Sequence, residues 1–319
     1  MGISWKGLAA AALAAAAWAA PVAAQQPARK VAPQQVAPSA WFVQGEAALG
    51  TPANRNFISN AGFVVTPAGV VVIDALGSPQ LARELLAEIA RVTPQPVTHV
   101  IVTHYHADHV YGLQEFRKRG ARIVAHRAAL EYIHSDTAAS RLQASRQELA
   151  PWIDAQTELV VPDQWIDGRT ELVVGGTRLV LQPVGPAHTP EDLVVSLPAE
   201  GVLFAGDMVF RGRVPFVGQA DSRQWIAALD VLLGIDAKVL VPGHGPLSPA
   251  ATARQDLQLT RDYLTYLREK MGAAATEMEP FDEAYARTDW SRFEHLPLFR
   301  AANRMNAYNT YLLMERQGK

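Results

Sequence analysis

The sequence predicts an α/β fold from residue 41 onward, in which apolar strands alternate with amphipathic helices. Two apolar runs, Phe57–Val65 and Val70–Ile73, are separated by Pro67-Ala68-Gly69, a combination typical of a β-hairpin. Ser78-Pro79 then supplies a helix N-cap followed by proline in the first turn, and leucines recur after it at helical spacing. Hydrophobic residues make up 49% of the chain, which is enough to build a large core.

The alternation continues along the chain. Residues 97–103 form a short apolar strand that runs directly into His104. Gly175-Gly176 supplies the positive φ angles of a tight turn between two strands. We expect helices to begin at Ser222 and at Ser248-Pro249. Residues 272–319 are predicted as a helical extension whose buried stripe is formed by apolar residues at helical spacing, namely Leu298, Ala302, Met305, Tyr308 and Leu312.

The N-terminus has the pattern of a secretory signal peptide over residues 1–24. Lys6 provides a positive charge, Leu8–Trp18 is apolar and rich in alanine, and Val22-Ala23-Ala24 fits a cleavage site. The apolar stretch is too short for a spanning helix, so no stable membrane insertion is expected. Residues 25–40, rich in Gln, Pro and Ala, are predicted as a flexible linker before a main domain over residues 41–271.

Composition narrows the location and the partners. The chain contains no cysteine, so it has neither a disulfide nor an N-terminal lipid-anchor cysteine. Together with the signal-peptide pattern, this predicts a periplasmic or secreted protein. The net charge is −2 and no long basic run is present, which argues against nucleic acid as the main partner and favours a small-molecule substrate. The oligomeric state is not defined by these patterns.

The most informative motif is His104-Tyr105-His106-Ala107-Asp108-His109, directly after an apolar strand. It places four metal-binding side chains within six residues, at a strand end where functional sites are commonly built. Alternate residues of an extended segment point the same way, so His104 and His106 can bind one ion. Asp108 and His109 can then face a second ion beside it.

Three further candidates follow predicted strands and have small neighbours, namely His188, Asp207 and His244. The ordered set resembles the metallo-β-lactamase superfamily over about residues 57–267. That resemblance implies a four-layer αββα sandwich with the helical C-terminal extension added to it. It also implies two metal sites. His104, His106 and His188 would hold the first ion, and Asp108, His109 and His244 the second, with Asp207 bridging both. Asp74 matches an Asp near the site and is interpreted as a supporting residue.

Two features place the chain between branches of that superfamily. The di-zinc β-lactamases carry cysteine at the position of Asp207, whereas hydroxyacylglutathione hydrolases and lactonases carry a bridging Asp. Residues 189–195, in contrast, resemble the β-lactamases more closely.

The donor set suits two zinc ions, and iron or manganese is also compatible with it. A hydroxide shared by the ions would attack the carbonyl carbon of an amide, ester, lactone or thioester, so the chain is predicted to be a β-lactamase-like metal-dependent hydrolase. Asp108 is the predicted catalytic residue, which orients the hydroxide and passes a proton to the leaving group. Arg211 and Arg213 are candidates for binding a substrate carboxylate. Aromatic candidates for the pocket wall are Trp41, Phe42, Phe57, Tyr105, Phe210 and Phe216.

Other functions remain open at this level. A nuclease of the same superfamily is disfavoured by the negative charge and by the short segment between Asp207 and His244. Di-iron oxidoreductases of this fold usually carry Glu at the position of His106, but a mononuclear iron dioxygenase is compatible with the motif. An accessory metal-binding protein of a periplasmic redox system is the third alternative, and the complete ligand set argues against it.

Overall fold

The computed structural model describes residues 29–218 and 220–317, arranged as two β-sheets packed face to face with helices on both outer sides. This is the predicted αββα sandwich with a helical C-terminal region. The predicted signal peptide lies outside the described residues, as do residues 25–28 of the predicted linker. No helix in the described part of the chain is long and apolar enough to cross a membrane.

Within the described residues, seven strands form the first sheet, in spatial order β1 to β7. They are β1 (Gln34–Gln35), β2 (Ala40–Val43), β3 (Ala61–Thr66), β4 (Gly69–Ile73), β5 (Val97–Ile101), β6 (Arg122–His126) and β7 (Gln164–Ile166). Six strands form the second sheet, in spatial order β13 to β8. They are β8 (Thr170–Val174), β9 (Thr177–Pro183), β10 (Leu193–Leu197), β11 (Val202–Phe210), β12 (Val239–His244) and β13 (Ser248–Pro249).

The helices divide between the two outer layers. Those that follow strands of the first sheet are α1 (Pro79–Val92), α2 (Ala107–Val110), α3 (Leu113–Arg117), α4 (Ala129–Ile133) and α5 (Asp136–Glu148). Those associated with the second sheet are α6 (Ser222–Leu232), α7 (Ala250–Thr276), α8 (Phe281–Arg287) and α9 (Phe299–Gln317). The predicted cap of α1 is present, because the Ser78 hydroxyl accepts the Leu81 N–H at 3.4 Å.

Strand β4 illustrates how the layers are built. Successive side chains of a strand point to opposite faces. Val70 and Val72 therefore pack with helix α1, while Val71 and Ile73 pack between the two sheets. All of these residues are apolar because both faces of the sheet are covered.

Two parallel strand pairs bring the predicted metal-binding residues to one edge of the sandwich. Strand β4 runs parallel to β5 in the first sheet, and β11 runs parallel to β12 in the second. The carboxyl ends of parallel neighbours meet at the same sheet edge. The segments after β4 and β5 are thus placed opposite the ends of β11 and β12.

Some element boundaries differ from those predicted from sequence. Ser248-Pro249 forms the short strand β13, paired with β12, and helix α7 begins only at Ala250. Residue 271, the predicted end of the main domain, lies inside α7. Gln34–Gln35, within the predicted linker, pairs with Trp41 and Phe42 of β2.

The predicted buried stripe of the C-terminal helix is wrong in its phase. Met305 and Tyr308 are 44% and 45% exposed. The side of α9 that faces the protein consists of the residues Ala302, Asn303, Asn306, Ala307 and Thr310. Three of these are polar and are buried because they form hydrogen bonds, which a hydrophobic periodicity cannot detect.

Candidate metal centre

The structure brings all seven predicted site residues together at the edge where the strand ends meet. His104, His106, Asp108 and His109 lie in the segment after β5 and in the short helix α2. His188 lies in the connection between β9 and β10. Asp207 and His244 lie within strands β11 and β12. The sequence had instead predicted that each would follow the end of its strand.

The donor atoms form two adjacent groups, each with its atoms within 4.8 Å of one another. The first group, the His-rich cluster, consists of His104, His106, His188 and Asp207. The second group, the mixed cluster, consists of Asp108, His109 and His244.

Asp207 lies between the two clusters. In the His-rich cluster its Oδ2 is 3.6 Å from His104 Nε2 and 3.4 Å from His188 Nε2. Towards the mixed cluster its Oδ1 is 3.2 Å from His109 Nε2, and its Oδ2 is 3.2 Å from His244 Nε2. One carboxylate thus reaches donor atoms of both groups, which is the geometry expected of a bridging ligand.

Close backbone packing fixes the position of Asp207. Gly206 has a φ of +51°, a conformation that glycine adopts without strain. A Cβ atom at Gly243, on the neighbouring strand, would lie 2.0 Å from Asp207 Oδ1. Glycine is therefore required at residue 243 for β12 to approach the carboxylate this closely.

Three of the imidazoles are oriented by a partner on their Nδ1 atom. His109 Nδ1 is 2.9 Å from Asp74 Oδ2, His104 Nδ1 is 3.0 Å from Thr103 Oγ1, and His244 Nδ1 is 2.8 Å from the Ile58 carbonyl oxygen. In each case Nδ1 carries the proton and donates it, which leaves the Nε2 lone pair free to bind a metal.

Asp74 organises two of these contacts. Its carboxylate accepts the Thr103 N–H and the Thr103 hydroxyl, both at 2.8 Å, in addition to His109 Nδ1. The residue has a φ of +61° at the end of β4, a left-handed conformation that Asp and Asn tolerate better than most residues. Asp74 therefore supports the site from behind, as predicted.

Unpartnered polar atoms in the clusters fit a bound cation. His104 Nε2, His109 Nε2 and Asp207 Oδ1 are buried and have no hydrogen-bond partner of suitable geometry. Buried polar atoms are normally hydrogen-bonded, so several orphaned atoms at one point need an explanation. Imidazole nitrogen and carboxylate oxygen are both metal ligands, and their free lone pairs converge here.

Burial keeps two imidazoles of the His-rich cluster, those of His104 and His106, uncharged. Burial, reinforced by the nearby His188, lowers the pKa of His106 to about 3. Burial and the neighbouring His109 hold the pKa of His104 well below its ordinary value. Neutral imidazole is the form that binds metal, so these two side chains need lose no proton before binding.

Around the mixed cluster, including the neighbouring Asp207, charged forms are favoured instead. Burial disfavours charge on His109, but Asp207, Asp108 and Asp74 outweigh it and raise its pKa well above the ordinary value. Burial likewise opposes ionisation of Asp207, but the surrounding imidazoles, His244 foremost, hold its pKa well below its usual range. The carboxylates thus concentrate negative charge that attracts a cation.

Sequence reasoning missed residues that hold the ligand loops. Asp192 accepts the Thr189 N–H at 2.7 Å and the Thr189 hydroxyl at 2.9 Å, which fixes the turn after His188. Asn60 donates to the carbonyl oxygens of Pro242 and Gly245 on either side of His244. The Thr-x-x-Asp spacing of residues 189–192 is typical of a capping turn and could have predicted the first contact. No local pattern predicts the second.

A cavity of about 470 Å³ opens beside the His-rich cluster. Tyr105, His106, Tyr132, His188 and Phe216 are among its lining residues. Of the aromatic residues predicted for a pocket wall, Tyr105 and Phe216 are in place, while Phe42 and Phe57 are buried in the core. A wider hollow of about 610 Å³ lies elsewhere on the surface and contains no cluster residue.

The two candidate arginines have different environments. Arg211 is held by an ion pair with Asp256 at 2.8 Å and also donates to the Leu247 carbonyl oxygen, so it supports the fold. Arg213 is buried beside the clusters, with its guanidinium carbon 5.5 Å from the centre of the Phe210 ring. Among the described residues, Arg213 forms no ion pair within 4.0 Å.

Comparison with known families agrees with this geometry. The family model described as the metallo-β-lactamase superfamily matches residues 54–244, a span that contains both clusters. The chain belongs to the metallo-β-lactamase superfamily. Its relatives in that family include metallo-hydrolases, and the resemblance implied by the sequence motifs is confirmed.

Two kinds of superfamily member are similar in sequence. A type 2 metallo-β-lactamase from a Bacillus species is 27% identical over 214 residues, which is 65% of this chain and 75% of that protein. A linear primary-alkylsulfatase from a Pseudomonas species is 23% identical over 243 residues. That match covers 65% of this chain but 46% of the alkylsulfatase, so the chain spans about half the length of that relative.

Solved structures give the same two groups. A metallo-β-lactamase from Pontibacter korlensis has 25% identity and a TM-score of 0.58, and covers 74% of this chain and 99% of its own. A sec-alkylsulfatase from a Pseudomonas species has 20% identity and a TM-score of 0.70, and covers 89% of this chain and 50% of its own. The second likeness is one of fold.

Proposed function

We propose that this superfamily member is a binuclear metallo-hydrolase similar in chemistry to the β-lactamases. It would cleave the bond at the carbonyl carbon of an amide, ester, lactone or thioester. The observation that carries the proposal is the position of Asp207 between two clusters in which several buried ligand atoms have no hydrogen-bond partner. His104, His106 and His188 would hold one ion, and Asp108, His109 and His244 the other. Zinc suits these ligands, and iron or manganese is compatible with them.

Two bound ions would supply a Lewis acid and an activated water at neutral pH. The chain's own contribution is to orient and to move a proton. The Asp108 side chain is 15% exposed, compared with 3% for Asp207, and its Oδ2 lies 3.3 Å from His244 Nε2. Asp108 is thus the carboxylate of the site with access to solvent, and we assign it the transfer of a proton to the leaving group.

The environment of Arg213 indicates an anionic group on the substrate. Burial lowers the pKa of the Arg213 guanidinium, and the nearby carboxylates of Asp207 and Asp108 offset this only in part. An anionic group on a ligand would offset the rest. We therefore expect a substrate that carries a carboxylate or a similar anionic group beside the bond to be cleaved.

The decisive experiment combines metal analysis with a hydrolysis screen. Protein reconstituted with zinc should hold about two ions per chain and hydrolyse at least one of a panel of a cephalosporin, a carbapenem, a lactone, a thioester and an aryl ester. Asp207→Asn should lose both ions and the activity, because it removes the charge shared by the clusters. Asp236→Asn, an exposed carboxylate outside the site, is the matched control and should retain both. A chain that holds one ion or none after reconstitution contradicts the binuclear mechanism.

Sulfate-ester hydrolysis is a second candidate. A sequence relative favours it, because a linear primary-alkylsulfatase is 23% identical over 243 residues. A sulfate group would also satisfy the anion expected beside Arg213. Release of inorganic sulfate from a linear alkyl sulfate, with none of the carbonyl substrates turned over, would select this reaction. Uptake of oxygen by an iron-loaded protein would instead select the dioxygenase alternative.

We also propose export to the periplasm or the medium, with removal of residues 1–24. The support is the signal-peptide pattern alone. N-terminal sequencing of the exported protein should find Gln25 or a residue close to it at the start. Recovery of the exported product with Met1 still attached contradicts cleavage.

A further inference from the structure

One wall of the cavity beside the His-rich cluster is a loop that we call the Phe216 loop, residues 214–218. Phe216 is 38% exposed and lies against the cluster, with its ring centroid 6.0 Å from that of His106 and 6.4 Å from that of His188. The loop has no secondary structure of its own, so something outside it must hold the ring in place.

The Val214 N–H donates to the Pro297 carbonyl oxygen at 3.1 Å, and the C-terminal helix α9 adds polar support to the loop through one side chain, Asn306. Asn306 is fully buried and faces the loop. Its Oδ1 accepts the Val217 N–H at 3.0 Å, and its Nδ2 donates to the Pro215 carbonyl oxygen at 2.7 Å. These contacts flank Phe216 on both sides. An amide with both its donor and its acceptor engaged fixes the backbone in one position.

The amide is itself held by helix α7. Asn306 Nδ2 also donates to the Tyr263 hydroxyl at 3.0 Å, and that hydroxyl donates to Asn303 Oδ1 at 2.8 Å. Tyr263 lies in α7 and is buried. A chain of hydrogen bonds therefore runs from the C-terminal helices to the cavity wall, and it explains why this face of α9 carries polar residues.

We propose that Asn306 is a positioning residue that holds the Phe216 loop beside the two clusters of candidate ligands. Through it, the C-terminal extension would determine how a substrate fits the cavity. The proposal rests on the proposed function, because Phe216 matters for fit only if the cavity beside the clusters holds the substrate. Asn306 touches none of the seven candidate ligands, so its effect should be on substrate binding and not on metal content.

The matched pair of variants is Asn306→Ala and Asn303→Ala. Both residues are fully buried on the same helix and hydrogen-bonded to Tyr263, but only Asn306 contacts the loop. Both variants should lower the melting temperature. Only Asn306→Ala should raise KM, by about tenfold, with kcat and zinc content nearly unchanged, because an aromatic contact is worth roughly that factor. Asn306→Asp, which keeps an oxygen for Val217 but loses the donor to Pro215, should act in the same direction if Asn306→Ala does not fold.

A double-mutant cycle separates positioning from general destabilisation. Phe216→Ala should raise KM by a similar factor, and Asn306→Ala should add little in the Phe216→Ala background, because both changes remove the same wall. Independent, additive effects of the two substitutions would overturn the proposal.

Hydrogen exchange at the Val217 amide tests the clamp without any substrate. Exchange of this N–H should be at least about tenfold faster in Asn306→Ala and unchanged in Asn303→Ala, since only the first change removes its acceptor. If the unaltered protein turns over no substrate, the proposed function fails, while this measurement still decides whether Asn306 holds the loop. Unchanged Val217 exchange, or faster exchange with KM unchanged for a hydrolysed substrate, overturns the inference.

Discussion

At the scale of single residues, the site depends on the atoms behind the ligands as much as on the ligands. Asp74 accepts the Nδ1 proton of His109 and, through the Thr103 hydroxyl, orients His104 as well. Such outer contacts fix which imidazole nitrogen faces the ion and raise its basicity. Asp74 also sits in a left-handed backbone conformation, so most replacements there would change the backbone and the charge together.

Asp74→Asn isolates the electrostatic part of this role, because Asn tolerates the same left-handed conformation. An amide NH₂ facing the His109 and Thr103 donors cannot accept their protons. Zinc affinity should therefore fall by about 10- to 100-fold, more at the mixed cluster that contains His109 than at the His-rich cluster. Competition with a chromophoric chelator gives the two dissociation constants. Unchanged zinc affinity at the mixed cluster would show that Asp74 does not act through His109.

At the scale of elements, the sequence predicted correctly where a metal-binding motif adjoins a clear hydrophobic pattern. The motif at residues 104–109 follows the apolar strand β5 after two residues, so its position at a sheet edge was predictable from residues 97–109 alone. The alternation of fully apolar strands with helices likewise predicted the covered sheets. The phase of α9 was not predictable, because its buried side includes Asn303 and Asn306, whose partners are distant in sequence.

The small neighbours of Asp207 and His244 indicated a close approach of the backbone, but the sequence did not show which of them must be glycine. In the fold Gly243 makes room for Asp207. Gly243→Ala should therefore displace the carboxylate or the strand, because the added Cβ would lie 2.0 Å from Asp207 Oδ1 and 2.6 Å from the Gly206 carbonyl carbon. We expect loss of most bound zinc and of hydrolysis, with the far-ultraviolet circular dichroism retained.

The control for Gly243→Ala is Gly168→Ala, in the connection between β7 and β8, since a Cβ at residue 168 meets nothing within 4 Å. It should bind zinc as the unaltered protein does. If Gly243→Ala also retains two ions, strand β12 can move without disturbing Asp207, and the tight packing is not needed for the site.

At the scale of the whole molecule, the two clusters join the halves of the sandwich. The motif at residues 104–109 comes from the first sheet, whereas Asp207 and His244 come from the second. Both clusters therefore draw ligands from both sheets, since His188 adds to the His-rich cluster and His244 to the mixed cluster from the side of the second sheet. An ion in either site would thus cross-link the sheets in addition to the apolar layer that packs between them.

Zinc should therefore stabilise the fold as a whole and not only complete the site. A ligand that binds only the native state adds RT ln(1 + [L]/Kd) to the free energy of unfolding, about 4 kcal/mol when free zinc is a thousand times Kd. For a domain of this size we expect a rise in Tm on the order of 10 °C between chelator-treated and zinc-loaded protein, measured by scanning calorimetry. Asp207→Asn removes the ligand shared by both clusters, so its Tm should respond little to zinc, while Asp236→Asn should respond as the unaltered protein does. Equal responses of the two variants would mean that zinc binds without joining the sheets through Asp207, and the bridging role would have to be abandoned.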